Sequence, residues 1–423
     1  MKKTTDRKGS FSLAVIGGGA SGLFAAIAAA KEAQRERLPL VVTVFEKNAR
    51  VGKKILVTGN GRCNLTNENM SSFYYRGCTD LFDTVYSSFD SAQTLEWFAQ
   101  TGLYTRSDAA GRIYPLSNQA SSVLDALRSE CRRLSVREFT DTKIESIRKN
   151  GTGFLLNSEF YADKVIFACG GKAAPVHGSD GSGLELLKNC GIAVTPTYPA
   201  LTALNVRNFT KSLKGIRAEG AITLRSGGKT LASSQGGIQY TDYGLSGIPV
   251  MQISRFAAVS LGKGGEVFAF VDSLPSVSAE ELTELFINLK KRDPARSFED
   301  VLGGVMPKKL GAYMLTLASL SPSVAIGSVY DAAIAKTVGT IKRTKYTVSS
   351  VRDFAEAQVT AGGVAGEELD PFTLELKKLP GVYVCGEMID LDGDCGGYNL
   401  QWAFSSGAVA GKSIVGELIK CFA

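Results

Sequence analysis

The sequence predicts an α/β protein in which one mixed domain is split by an inserted antiparallel β unit and a small helical unit. Three observations carry this expectation. First, near the N-terminus the apolar run FSLAVI meets a glycine turn and a small-residue helical stretch, and a second apolar run, LVVTVFEK, follows. Strand, turn, helix and strand in that order open a parallel sheet. Second, from about residue 194 this rhythm stops: ALTALNV, AITLRSGGKTLASS, GGIQYT and GGEVFAFVDSL alternate between apolar and polar and are separated by glycine turns, as antiparallel strands are. Third, the stretch from SVSAEELTELF to MLTLASL has helical periodicity, with Ser278 and Glu281 spaced as a capping box. TIKRTKYTV then returns to strand, and VTAGGV at residues 359–364 resumes the first pattern. The expected boundaries are 1–193 with 348–423 for the split domain, 194–275 with 325–347 for the β unit, and 276–324 for the helical unit.

Composition agrees with this layout and narrows the chemistry. A chain of 423 residues exceeds what one hydrophobic core supports, and 44% hydrophobic with 21% charged residues is ordinary for a soluble globular protein. Disorder is expected only in the first ten residues. Lys and Arg total 48 against 41 acids, a net charge of +7 that suits an anionic ligand or RNA without identifying either. Eight cysteines stand without a C-x-x-C pair, and the only histidine is His177. That argues against a zinc site and against most histidine-based triads, so chemistry is expected to rest on a cofactor.

The basic start MKKTTDRKGS and the uncharged residues 13–30 imitate a secretory signal or membrane anchor. Three consecutive glycines, Gly17 to Gly19, would break such a helix. A cytoplasmic protein without a membrane segment is expected, and the sequons at Asn64, Asn69 and Asn208 then carry no meaning.

The same glycines define a dinucleotide site. Gly17 permits the tight turn, Gly19 lets a pyrophosphate approach the backbone, and Gly22 lets helix and sheet pack closely. Ala20 and Ser21 open the helix, whose N-terminus favours negative charge. Glu46, at the end of the second strand, is placed to accept hydrogen bonds from both ribose hydroxyls. After Glu46-Lys47 comes GKKILVTGNGRCNLTN, residues 52–67, which allows two readings. ILVT could be a strand with Asn60-Gly61 as a hairpin turn. Alternatively, the stretch resembles the segment that turns back toward the flavin in FAD domains of the glutathione-reductase type, where Gly52, Lys53, Gly59, Gly61, Arg62, Cys63 and Asn64 would form a loop bringing backbone N–H groups and side chains to the cofactor. The neighbouring motifs favour the loop. DKVIFACGGKAAP, with Ala168, Gly170 and Gly171, resembles the second chain pass over the cofactor in FAD domains of the glutathione-reductase type. The C-terminal GVYVCGEMIDLDGDCGGYNLQWA offers Gly386 and Glu387, then Gly396, Gly397, Tyr398, Asn399 and Gln401 at the start of a long small-residue helix.

GGGASG, GKKILVTGNGRCNLTN, GRIYPLS, ACGG, TDYGLSGIP, VTAGGV and GEMIDLDGDCGGYNLQWA run in order along nearly the whole chain. Together they resemble the BaiN-like or YhiN-like FAD-dependent oxidoreductases, many of which carry the label aminoacetone oxidase family. The resemblance implies a Rossmann-type FAD domain of the glutathione-reductase type, held by the residues above and by Ile144. Glu387 would bond a ribityl hydroxyl, and the C-terminal helix would point its N-terminus at a flavin edge. It further implies a reductase that moves hydride from NAD(P)H through FAD to a small acceptor such as a conjugated carbonyl. No second GxGxxG is present, so NAD(P)H would bind only transiently, in a cleft between insertion and FAD domain. Tyr243 is the expected proton donor. The family often has GGGRCN where Gly59-Asn60-Gly61-Arg62 stands here, a serine or threonine where Cys169 stands, and PxTGSxGxG where residues 175–183 run PVHGSDGSG. These departures weaken catalytic roles for Cys169 and His177, and Cys63 reads as a buried, inert thiol. Two alternatives remain: a flavoprotein that modifies tRNA or binds RNA, with KSLKGIR and TIKRTKY as short basic candidates, and a flavoprotein with little turnover.

Overall fold

The computed structural model describes residues 10–420. The expectation of disorder in the first ten residues therefore lies, apart from Ser10, outside the described residues, as does Cys421. The chain forms two compact units, Met1–Thr197 with Gln358–Ala423, and Tyr198–Ala357.

In the first unit FSLAVI forms the strand Phe11–Ile16 at the centre of a five-stranded parallel sheet. The strand order is Val382–Val384, Lys164–Phe167, Phe11–Ile16, Leu40–Phe45, Arg137–Phe139. Burial on both faces is why these strands read as unbroken apolar runs. Phe45 packs against Phe139 and against Phe160 of the antiparallel meander Ile147–Asn150, Gly153–Leu156 and Phe160–Ala162. The helix Ala20–Arg35 follows the glycine turn, and the C-terminal helix Tyr398–Lys420 lies directly against it. A Cβ on Gly407 or Gly411 would stand 2.6 Å from Ser21 O or 2.4 Å from Ala25 O. The small residues of AFSSGAVAG thus serve close packing of helix on helix.

The hairpin reading of residues 52–67 fails. Ile55–Gly61 is helical with a kink, and Gly59, Asn60, Gly61 and Cys63 all have positive φ, between +55° and +80°. A run of left-handed residues cannot continue a strand ladder.

The second unit contains a closed six-stranded barrel of Leu204–Val206, Gly244–Ser246, Lys229–Tyr240, Arg217–Ser226, Val267–Asp272 and Thr344–Val351, in that order around the barrel. Gly227 and Gly228, at φ +52° and +77°, make the tight turn of a long hairpin, so the expected short runs from AITLRS to GGIQYT are two strands of 10 and 12 residues. A helix absent from the sequence reading, Ile248–Gly262, buries Val250, Ile253 and Ala257 in the barrel core. The capping box is present: Glu281 N donates to Ser278 Oγ at 3.1 Å and Ser278 N to Glu281 Oε2 at 2.8 Å. Leu282, Phe286, Phe298 and Leu310 share one core with Ile222, Leu224 and Val271 of the barrel. The helical segment therefore has no core of its own, and the insertion runs from Tyr198 to Ala357 where 194–347 was expected. No described helix is long and apolar enough to cross a membrane.

Candidate cofactor site

Four glycines of the first turn differ in what surrounds them. A Cβ on Gly17 would lie 2.4 Å from Ala168 O, on Gly18 2.5 Å from Val51 Cγ1, and on Gly22 1.9 Å from Gly17 O. These glycines let protein approach protein. Gly19 differs: nothing lies within 4 Å of its Cβ position, and its backbone is extended at φ −82°. It precedes a helix whose N-terminus has no side-chain cap. Uncapped N–H groups beside open space at a helix N-terminus fit a pyrophosphate. Ala20 starts that helix; the side chain of Ser21 is buried against Gly386, whose Cβ would lie 2.4 Å from Ser21 Oγ. Only the backbone of Ser21 is thus free to serve an anion.

Glu46 is buried just past the second strand. Its Oε2 accepts from Gly18 N at 3.0 Å, and its Oε1 from Asn48 N and Nδ2 at 2.9 and 2.6 Å. The carboxylate is therefore fixed beside the glycine turn, with acceptor sites left for a ribose. Thr142 N donates to Glu46 O at 2.9 Å and Asp141 N to Asn48 O at 3.1 Å, so the segment leading to buried Ile144 lies alongside. Lys47 pairs with Asp180 at 2.6 Å. Burial pushes the Asp180 carboxyl up, but Lys47 and the Ser182 hydroxyl and amide outweigh it and hold the group at about 2. His177 ends the short turn Pro175–His177 and is half-buried.

Gly52, at φ +76°, donates its N–H to Gly18 O at 2.8 Å and so ties the next segment to the first turn. Lys53 Nζ lies 3.4 Å from Asn48 Oδ1. In the kinked loop, Gly59 and Gly61 supply left-handed turns, and the exposed Arg62 stacks its guanidinium 4.7 Å above the Tyr114 ring. Asn64 Oδ1 is buried without a hydrogen-bond partner. An orphaned acceptor of this kind is costly unless a ligand satisfies it.

The loop meets the C-terminal turn. A Cβ on Gly397, at φ +99°, would lie 2.3 Å from Thr66 O and 2.9 Å from Asn64 Oδ1. Gly396 is at φ +139°. Tyr398 stacks on Tyr74 at 4.6 Å, and burial pushes its phenol well above the ordinary range. Gly170, at φ +73°, packs on Ser179, and Gly171 on Thr360 and Glu387.

Several assigned residues are turned elsewhere. Gln401 is fully buried and donates to Thr94 Oγ1 at 2.8 Å and Ser405 Oγ at 2.9 Å, so its amide N–H groups serve the core instead of a cofactor. Asn399 closes the preceding loop through Gly393 N and O at 2.8 and 2.7 Å. Tyr243 belongs to the second unit, where the Arg352 guanidinium covers its ring at 4.6 Å. Sequence reasoning missed Asn48, which orients Glu46, and also Lys54 and Thr360, which hold Glu387. Among the described residues no group of His, Cys, Asp and Glu could hold a metal ion.

Burial pushes the thiols of Cys63, Cys169 and Cys385 to about 12. Each therefore stays protonated and unreactive at neutral pH. Iodoacetamide at pH ~8 is expected to leave these three unmodified in the native protein and to alkylate them in denaturant. Native labelling of Cys63, read by peptide mass, would contradict its placement. Because the unfolded thiols ionise first, these groups favour folding below about pH 9 and lose that contribution as pH rises toward about 12.

The fold agrees with what comparison finds. The family described as HI0933-like protein Rossmann domain matches residues 11–413. The chain is 40% identical to a 3-dehydro-bile acid delta(4,6)-reductase of Clostridium scindens, across 95% of this chain and 98% of that protein. It is 27% identical to a ribosomal RNA dihydrouridine synthase of Escherichia coli, across 96% and 98%. A solved 3-ketosteroid delta1-dehydrogenase from Sterolibacterium denitrificans shares the fold, with a TM-score of 0.51 at 12% identity over 97% of this chain and 100% of that one. A glycine turn open only at Gly19, a carboxylate fixed beside it and a family match over nearly the whole length lead to one conclusion: the chain belongs to the HI0933-like family of FAD-binding Rossmann proteins and is an FAD-dependent oxidoreductase.

Proposed function

We propose that this protein reduces a carbon–carbon double bond conjugated to a carbonyl in a small organic acceptor, with NAD(P)H as the electron source. The observation that supports this most is the 40% identity, over nearly the full length of both chains, to a relative named for reducing such bonds in a bile acid. Bound FAD supplies the hydride chemistry. The chain's residues hold and orient it: the turn at Gly19 takes the pyrophosphate, Glu46 the adenosine ribose, and Glu387 the ribityl chain. Adding hydride to the far carbon of an enone sends charge to the carbonyl oxygen and requires a proton at the adjacent carbon.

A second acceptor class has a specific observation behind it. Relatives at 27% and 26% identity, matched along almost all of this chain, are named for making dihydrouridine in ribosomal RNA. A uracil ring also holds a double bond conjugated to a carbonyl, so the bond chemistry would be the same, and a net charge of +7 is compatible with RNA. The test is anaerobic. NADH or NADPH is expected to bleach the flavin, and a small cyclic enone is expected to restore its colour faster than buffer or uridine-containing RNA does. Restoration by RNA alone would favour the second acceptor. A flavin that neither nicotinamide bleaches would remove NAD(P)H from the scheme.

A further inference from the structure

Two adjacent lysines leave the turn after Gly52 for different partners. Lys53 Nζ reaches Asn48 Oδ1 at 3.4 Å, on the side of Glu46. Lys54 Nζ donates to Glu387 Oε2 at 2.6 Å, across 333 positions of sequence. Oε1 of the same carboxylate accepts from Thr360 N at 2.9 Å. Thr360 is itself fixed, because its Oγ1 accepts from Lys172 N at 2.7 Å and from Ala173 N at 3.0 Å. The backbone beneath Glu387 is held as well: Gly386 N donates to Ser406 Oγ at 2.9 Å, and Trp402 Nε1 donates to Gly386 O at 3.0 Å. Gly171 completes the enclosure by lacking a Cβ, which would stand 2.3 Å from Thr360 Oγ1 and 3.1 Å from Glu387 Oε1.

The ion pair is mostly withdrawn from water, with side chains 23% and 21% exposed. Such a pair costs desolvation and rotamer freedom, so by itself it adds little to stability. Each carboxylate oxygen can accept two hydrogen bonds, and here each receives one from the protein. The arrangement fixes a carboxylate while leaving acceptor capacity on both of its oxygens.

We infer that Lys54 is a positioning residue for the cofactor: it aims the Glu387 carboxylate at the hydroxyls of the FAD ribityl chain, and it acts through Glu387 without touching the cofactor. This rests on the FAD site described above. The readout is the rate at which the holoenzyme releases FAD on dilution, followed by the rise of flavin fluorescence. Lys54→Met is expected to release FAD about tenfold faster, the scale of a lost charge-assisted hydrogen bond. Lys54→Arg, which keeps a cation able to grip a carboxylate, is expected to stay within about threefold of wild type. Glu387→Gln should also release faster, and Lys54→Met added to it should change nothing further, because two residues acting as one unit are not additive.

A Lys54→Met protein that releases FAD at the wild-type rate would overturn the inference. So would a double variant whose effect is the product of the two single effects, since Lys54 would then act on the cofactor independently of Glu387. Should Lys54→Met not fold, Lys54→Leu, which likewise removes both charge and donor, enters the same comparison with the same expectations. Wild-type protein that holds no FAD would instead overturn the site, an outcome distinct from failure of the lysine's role.

Discussion

Gly19→Val is expected to give a folded protein without flavin. The Cβ position of Gly19 meets no protein atom within 4 Å, and φ −82° is open to any L-residue, so valine there costs the fold little. What the side chain fills is the space in front of the helix N-terminus, where the proposed site puts the pyrophosphate. Gly22→Ala is the contrasting variant. Its Cβ would lie 1.9 Å from Gly17 O, so the helix must move off the turn, at a cost of about 1–3 kcal/mol or more. Flavin absorbance and thermal unfolding, measured on both, separate the cases. Gly19→Val should lose colour and keep the stability of flavin-free protein, whereas Gly22→Ala should lose stability first. Wild-type flavin content in Gly19→Val would mean that the phosphate lies elsewhere.

Gly397→Ala should impair both fold and cofactor binding. The residue sits at φ +99°, strained for any side chain, and its Cβ would press 2.3 Å from Thr66 O and 2.9 Å from Asn64 Oδ1. Strain and overpacking together are expected to cost about 2–4 kcal/mol and to displace Asn64, whose buried acceptor faces the turn without a protein partner. Denaturant unfolding with flavin retention checks this; a loss below about 0.5 kcal/mol would show that the turn is looser than described. Proline at the same position is a poor probe of the helix dipole, because its fixed φ near about −65° excludes the observed backbone and would break the turn outright.

What the sequence disclosed and what it hid divide along physical lines. The unit from Phe11 to Glu46 was legible because its signals are local: a buried strand, glycines at the required turn positions, and an acid at the end of the next strand. The capping box at Ser278 was legible for the same reason. At Ile55–Gly61 the strand composition of ILVT kept a hairpin reading open beside the favoured loop, while the chain's course there is set by left-handed residues just beyond ILVT. The helix Ile248–Gly262 was hidden in a run of small and apolar residues that lacks a clear polar face, since much of it is buried by the barrel. Residue type could not tell which way Gln401 faces, and it faces the core. Nor could it join Lys54 to Glu387, because that contact exists only once the sheet has brought the two ends of the chain together.

The most direct measurement is the identity and amount of flavin released when the purified protein is denatured. FAD at close to one per chain is the expected result, because the proposed site puts a pyrophosphate at the open turn of Gly19 and an adenosine ribose at the carboxylate of Glu46. Release of FMN, which lacks the adenosine, or a colourless protein that stays colourless after incubation with FAD, would contradict it.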